Sequence, residues 1–278
     1  SVMVLAAGEA TARAGKKPWH ELVRERLLDP LGMDDTSLET GTARKQPDRA
    51  SGHRRDADGK PFAVPWYELK EPNASGSVNS SARDLAVWLR LHLDGGEWKG
   101  RRVVSAKSLE ATRSPTTIIE MNDDDRKLSP ETVQMSYGLG WVVQDHRGET
   151  LISHTGLIDG FRAQITLLPK RKIGVAVLSN LHGTRMNLAL THSVLDHLMK
   201  WERRDWNKYY RDLIDAQEFA ADAAKRRFER GRRLGTRPTL ALEEYAGVYE
   251  HPAYGTLTVS RTDDALNVAW SSFDSPLD

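Results

Sequence analysis

From Tyr137 onward the sequence consists of short β-rich segments that follow one another with only turn residues between them. Glycines and a Pro-Lys pair mark these turns. Strands joined so closely pair in an antiparallel way, because a parallel neighbour needs a crossover of about a dozen residues or more. The pattern therefore predicts an antiparallel sheet rather than repeated strand–helix–strand units, with strands at 141–144, 151–153, 161–168 and 173–178.

Helical patterns flank this strand region on both sides. Apolar spacing and capping residues predict helices over 1–15, from Pro18 to a stop at Asp29-Pro30, from the cap at Ser81 to Gly95, and within 184–230. The long stretch 32–72 has little periodicity, and its length is typical of a functional or lid-like loop. The predicted fold class is α/β (α+β), an antiparallel sheet flanked by helices.

The C-terminal part has a different texture. A charged stretch, 200–237, is followed by alternating apolar and aromatic residues from Leu242 onward, which predict strands of a partial small all-β domain. The predicted organisation is therefore a main domain over 1–200, a charged helical linker over 201–237 and an incomplete β-rich domain over 238–278.

Composition excludes several classes of function. The 278 residues hold 40 Lys+Arg against 39 Asp+Glu, so no overall field attracts nucleic acid, and the basic run 225–237 is better explained as a solvated helix face. With no cysteine there is no disulfide, thiolate metal site or cysteine nucleophile. No apolar stretch approaches the roughly 18 residues of a spanning helix. We expect no transmembrane segment, no nucleic-acid partner, and no metal or other cofactor.

One segment at a strand end could bind a substrate. It runs from Ile152 through His154, Thr155 and Gly156 to Phe161. An imidazole and a hydroxyl can together hold a carboxylate, and glycine lets a substrate backbone approach closely. Taken alone, the segment is better explained by a turn that contains a stray histidine.

The order of several motifs resembles the serine β-lactamase-like hydrolases. This penicillin-recognising family includes class C β-lactamases, D-alanyl-D-alanine carboxypeptidases, D-aminopeptidases and related esterases. The resemblance covers about residues 1–200, and residues 242–270 look like the small β-rich domain often appended to these enzymes. It rests on Pro30-Leu-Gly-Met33 with Thr36, on the segment 75–86, on Tyr137-Gly-Leu-Gly-Trp141 and on His154-Thr155-Gly156.

The resemblance implies an acyl-transfer site and a β-lactamase/transpeptidase-like fold. His154 would be the cationic or hydrogen-bonding member of the Lys/His-Thr-Gly strand, and Thr155 and Gly156 would contact substrate. The Leu157 N–H would donate to the oxyanion, and Ser1 would take the third position of a Tyr-x-Ser motif. The implied substrate is a small molecule or peptide, namely a D-amino-acid peptide, a β-lactam or a small ester. The implied location is extracytoplasmic.

The sequence departs from the family in its nucleophile. No Ser-x-x-Lys and no Tyr-x-Asn or Tyr-x-Ser occurs in the 278 residues. We expect this chain to be a fragment of a longer protein. The missing N-terminal part of that protein would hold the nucleophile and would be a partner of this chain. Alone, such a fragment is expected to be inactive, to expose apolar surface and to self-associate. The alternatives are a non-catalytic ligand-binding or sensor pseudoenzyme of the same fold, or a mistaken resemblance.

Overall fold

Among the described residues, the helices are at most 14 residues long, except for one of 26 residues in the C-terminal third of the sequence. The computed structural model describes residues 2–56, 58–67, 69, 71–233, 235–271 and 273–277. Within them, no helix is both long and apolar enough to cross a membrane. The helices are α1 (Val2–Gly15), α2 (Trp19–Val23), α3 (Asp29–Leu31), α4 (Thr40–Ala43), α5 (Ala82–Leu93), α6 (Ala106–Arg113), α7 (Asp123–Leu128), α8 (Met186–Met199), α9 (Trp206–Gly231) and α10 (Leu242–Tyr245).

The strands pair antiparallel throughout their sheets. A six-stranded sheet has the order β10-β9-β8-β7-β6-β5, a four-stranded sheet has the order β11-β12-β13-β14, and two further pairs are β1-β2 and β3-β4. The bounds are β1 (His53–Arg55), β2 (Pro61–Ala63), β3 (Glu97–Trp98), β4 (Arg101–Arg102), β5 (Thr117–Ile119), β6 (Met135–Tyr137), β7 (Val142–His146), β8 (Glu149–Ile158), β9 (Phe161–Leu168), β10 (Ile173–Ser179), β11 (Gly247–His251), β12 (Gly255–Thr262), β13 (Ala265–Trp270) and β14 (Phe273–Leu277).

Neighbouring residues of β8 pack on opposite sides of the six-stranded sheet. Ile152 belongs to a cluster with Leu89 of α5, whereas Leu151 packs with Leu195 of α8. Because side chains alternate along a strand, α5 and α8 cover the two faces of the sheet. This arrangement confirms the predicted antiparallel sheet flanked by helices.

The second helical region runs one residue further than predicted. A π-helical turn, Arg24–Leu28, joins α2 to α3, and Pro30 lies in the first turn of α3, where its missing N–H is tolerated. The helix ends at Leu31 because Gly32 takes a left-handed conformation, with φ of 66°. The prediction that this helical region stops at Asp29-Pro30 is therefore wrong, because the helix continues to Leu31.

The chain forms two compact units, one ending at Glu218 and the other beginning at Phe219. In the second unit, one face of the four-stranded sheet is apolar. The register joins Tyr249 to Leu257, Leu257 to Trp270 and Trp270 to Phe273, so these side chains share a face. The opposite face carries threonines and an aspartate. The predicted strand-rich character of the C-terminal part is confirmed.

A buried histidine on α5 makes the stability of the first unit depend on pH. His92 lies edge-on between Trp88 and Trp141, and neither ring nitrogen has a hydrogen-bond partner among the described residues. Burial, and then the charge of Arg113, lower the pKa of His92 from 6.5 to about 4. Between these two values the unfolded chain binds a proton that the folded chain does not. Stability is therefore full above about pH 6.5 and falls as the pH drops towards about 4.

We expect His92 to contribute about 3 kcal/mol to this loss of stability. Urea unfolding at several pH values between 7.5 and 4 measures the loss. His92→Phe keeps an aromatic ring between the two tryptophans and should make the pH dependence shallower by the His92 share, leaving the part due to His192, whose pKa burial lowers to about 3. His197→Gln, a change at an exposed position of α8, should leave it as in the wild type. Equal slopes for the wild type and His92→Phe would contradict the assignment.

Candidate active site

Strand β8 is paired on both sides over its first half and on one side over its second half. Its register with β7 runs from Glu149 to Ser153, whereas its register with β9 runs from Ile152 to Ile158. Within the described residues, 154–158 therefore pair with β9 alone. The opposite edge of this segment is open, and the segment contains the His-Thr-Gly sequence.

The hairpin turns at each end of β8 decide which N–H groups point to the open edge. Two residues separate Ile158 from its partner Phe161, and two separate His146 from Glu149. The residues that flank such tight turns are hydrogen-bonded pairs, and these pairs alternate along an antiparallel ladder. Even-numbered residues of β8 therefore bond to β9. The N–H groups of Thr155 and Leu157 point to the open edge.

His154 contacts a tyrosine from another strand. The hydroxyl of Tyr137, on β6, lies 3.3 Å from the Nε2 of His154. The ring centroids are 6.2 Å apart, with the rings edge to face. Strand β7 lies between β6 and β8 and begins at Val142. The two side chains meet just before that residue, where β7 no longer separates the two strands. The imidazole is thereby held beside the open edge.

Thr155 and Gly156 lie on the open edge next to His154, and both are exposed. Adjacent strand positions point to opposite faces, so a ligand that touches both His154 and Thr155 has to lie along the edge. A Cβ on Gly156 would meet only Ala163, at 3.6 Å. Packing within the described protein thus does not require glycine here.

A positive charge lies on the Thr155 face of the edge. Arg162 on β9 is the register partner of Leu157, and cross-strand partners share a face. Burial, followed by the charge of Arg185, lowers the pKa of Arg162, but a guanidinium stays protonated at neutral pH. Its Nε is buried without a hydrogen-bond partner among the described residues. The charge favours an anionic group at this edge.

A wall beside the β8–β9 turn comes from the long 32–72 segment. The His53 N–H donates to the Gly160 carbonyl at 3.1 Å, and Arg54 forms an ion pair with Asp159 at 2.5 Å. A Cβ on Gly160 would lie 2.6 Å from the Cα of Gly52, so the two backbones require glycine for this approach. The length of this loop is visible in the sequence, but its position beside the turn is not. Only pairing across more than 100 residues reveals it.

Two other family-like motifs have a structural role. Thr36 donates to the buried carboxylate of Asp84 at 2.7 Å and lies 2.8 Å from the Ser80 hydroxyl. Ser37 and Asn79 exchange two backbone hydrogen bonds of 2.8 Å. The segments around 36 and 80 therefore fasten the start of α5.

The predicted site residues are only partly brought together. His154, Thr155, Gly156 and Leu157 lie consecutively on the open edge, while Ser1 lies outside the described residues. Tyr137 belongs to a motif that sequence reasoning used for the resemblance but did not assign to the site. Across the described parts of the chain, no group of three or more His, Cys, Asp or Glu side chains is placed to hold a metal.

A family model described as Beta-lactamase matches residues 2–198. A model described as a domain of unknown function (DUF3471) matches residues 231–276.

Relatives and solved structures give the same picture. Unguisins hydrolase ungD' of Aspergillus campestris is 30% identical over 250 residues, which cover 86% of this chain and 44% of the relative. The Escherichia coli D-alanyl-D-alanine-carboxypeptidase/endopeptidase AmpH is 27% identical over 174 residues, covering 61% and 41%. The octameric penicillin-binding protein homologue from Pyrococcus abyssi superposes with a TM-score of 0.61 at 20% identity, covering 97% of this chain and 52% of that one. The chain thus spans less than half the length of these two curated relatives.

Proposed function

We propose, from the premise that this chain belongs to the β-lactamase family, that it supplies one wall of the active site of a serine hydrolase. The reaction is cleavage of an amide or ester through an acyl-serine intermediate. The observation that supports it is the open edge of β8, where His154, Thr155 and the Leu157 N–H follow one another beside a tight turn. Two named relatives are also hydrolases or peptidases.

The Leu157 N–H is proposed as an oxyanion donor. In acylation, a serine oxygen loses its proton and bonds to the substrate carbonyl carbon, and the carbonyl oxygen becomes negative. The carbonyl then re-forms as the bond to the leaving amine or alcohol breaks, and that group takes the proton lost by the serine. In deacylation, a water oxygen bonds to the same carbon, the serine–carbon bond breaks as the carbonyl re-forms, and the serine takes a proton from the water, which releases the acid. Leu157 and the nucleophile's own N–H would stabilise the negative oxygen in both steps.

We place the nucleophile outside these 278 residues, in the remainder of a longer polypeptide. The chain contains no Ser-x-x-Lys, and it spans less than half of its curated relatives. We call that longer polypeptide the complete protein. The chain by itself is then expected to bind substrate without turning it over.

The proposed substrate has an anionic end next to the reacting carbonyl, as a D-amino-acid peptide or a β-lactam does. His154 lies on one side of the edge, while Thr155 and Arg162 lie on the other. Hydrogen bonds that involve a charged partner are roughly twice as strong as neutral ones. A carboxylate lying across the edge would receive bonds from both sides.

Hydrolysis assays of the complete protein test the proposal. Nitrophenyl esters, nitrocefin and D-amino-acid amides are the substrates. We expect turnover of at least one of them, and, for nitrocefin, which carries a carboxylate, a fall in kcat/KM of about 10- to 100-fold in His154→Ala, as for loss of a hydrogen bond to a charged group. His197→Ala, on the exposed side of α8, is the matched control and should retain wild-type kcat/KM.

Two results would overturn the proposal. One is that no substrate is turned over, and the other is a wild-type kcat/KM in His154→Ala. If substrates bind saturably but none is turned over, the result would support a ligand-binding or sensor module built on the same edge.

A further inference from the structure

In the Tyr137-Gly-Leu-Gly-Trp141 motif, the side chain of Tyr137 is not part of a packed cluster. A Cβ on Gly138 would lie 2.5 Å from the Thr112 carbonyl oxygen, and Gly140 has a φ of 86°, so both positions require glycine. Trp141 belongs to the buried cluster with Leu89. The half-buried side chain of Tyr137 instead extends to His154. We propose that Tyr137 is a positioning residue that sets the orientation and the tautomer of the His154 imidazole.

The backbone of Tyr137 is fixed by its neighbours. Its carbonyl accepts hydrogen bonds from the N–H of Thr116, at 2.9 Å, and from the hydroxyl of Thr116, at 2.8 Å. The next residue, Gly138, donates to the Trp141 carbonyl at 2.8 Å and packs against the backbone at the end of α6. Tyr137 therefore presents its ring from a rigid strand end, as a positioning group requires.

In the proposed arrangement, the Tyr137 hydroxyl donates to the imidazole rather than accepting from it. Among the described residues, the partner of the Tyr137 hydroxyl is the His154 Nε2, with no carboxylate or carbonyl within hydrogen-bond distance. The phenol proton therefore has the imidazole as its protein acceptor. A neutral imidazole that accepts at Nε2 carries its proton on Nδ1.

This tautomer leaves the Nδ1–H free to donate to a ligand. Within the described part of the chain, no hydrogen bond involves Nδ1 of His154. The inference rests on the proposed function in one respect, that the ligand is the substrate of an acyl transfer. The hydrogen bond and its tautomer do not depend on that function.

Nitrogen NMR of the imidazole tests the inference without an activity assay. The protein is labelled with ¹⁵N-histidine, and the His154 resonances are assigned by their loss in His154→Gln. At a pH where the ring is neutral, the wild type should show an Nδ1–H tautomer, and Tyr137→Phe should shift the ring towards Nε2–H. Tyr209→Phe, which removes a hydroxyl bonded to the Lys127 carbonyl, should leave the His154 signals unchanged.

Kinetics of the complete protein give the second readout. Tyr137→Phe should lower kcat by about 3- to 10-fold, as for loss of one neutral hydrogen bond, with a smaller change in KM. An unchanged tautomer in Tyr137→Phe would overturn the inference. A tautomer shift in a protein that hydrolyses none of the substrates would support the Tyr137–His154 bond and overturn the proposed function.

Discussion

Leu157→Pro is expected to lower kcat of the complete protein by about 100- to 1,000-fold, the loss typical of removing one oxyanion donor. Proline has no N–H, and the Leu157 N–H points to the open edge of β8 rather than to β9. The substitution therefore removes the proposed donor without breaking a ladder hydrogen bond. The preceding residue, Gly156, is already in a strand, a conformation that proline favours in its neighbour. Steady-state kinetics with the best substrate measures the effect.

Two further variants separate the N–H from the side chain and from the fold. Leu157→Ala keeps the N–H and removes a side chain that is 55% exposed, so kcat should stay close to that of the wild type. Ile158→Pro removes an N–H that pairs with Phe161 in the hairpin, so it should destabilise the protein more than Leu157→Pro. A folded Leu157→Pro protein with wild-type kcat would show that Leu157 is not an oxyanion donor.

Asp196→Ala is expected to lower the free energy of unfolding by about 2–3 kcal/mol, chiefly because the buried Trp206 indole N–H is left without an acceptor. The carboxylate of Asp196 is 2% exposed. It accepts a 2.7 Å hydrogen bond from the Trp206 indole and a 3.2 Å bond from Arg147. Without it, the buried indole N–H has lost its acceptor. Arg147 then keeps Glu131 as its carboxylate partner.

Urea unfolding at pH 7, followed by tryptophan fluorescence, measures this change. Asp212→Ala is the matched control, because Asp212 forms its ion pair with Lys208 at the surface. Exposed pairs contribute little to stability, so the urea midpoint of Asp212→Ala should stay close to that of the wild type. Similar midpoints for Asp196→Ala and Asp212→Ala would contradict the role given to Asp196.

Local sequence patterns predict the elements whose apolar residues face a core. The strand predicted over 161–168 coincides with β9, because its apolar residues lie between clear turns. The helix after Ser81 is also as predicted, since Ser81 caps it by accepting from the Asp84 N–H. In both cases the pattern and the cap act within a few residues of one another.

Elements that depend on distant partners are predicted less well. The apolar pattern predicts only 151–153 of β8, but the strand continues to Ile158 because β9 pairs with its second half. The contact of Tyr137 with His154 depends on where β7 begins. The wall that includes Gly52 and Gly160 joins segments more than 100 residues apart. The candidate site is thus visible in sequence as His154–Leu157, whereas its neighbours become apparent only in the folded chain.

Peptide mapping of the complete protein after treatment with a fluorophosphonate or a penicillin tests the central claim most directly. The account predicts one covalent adduct, on a serine outside these 278 residues, formed more slowly in Leu157→Pro than in Leu157→Ala. Failure of both reagents to label the protein, or labelling of a serine within this chain, would contradict it.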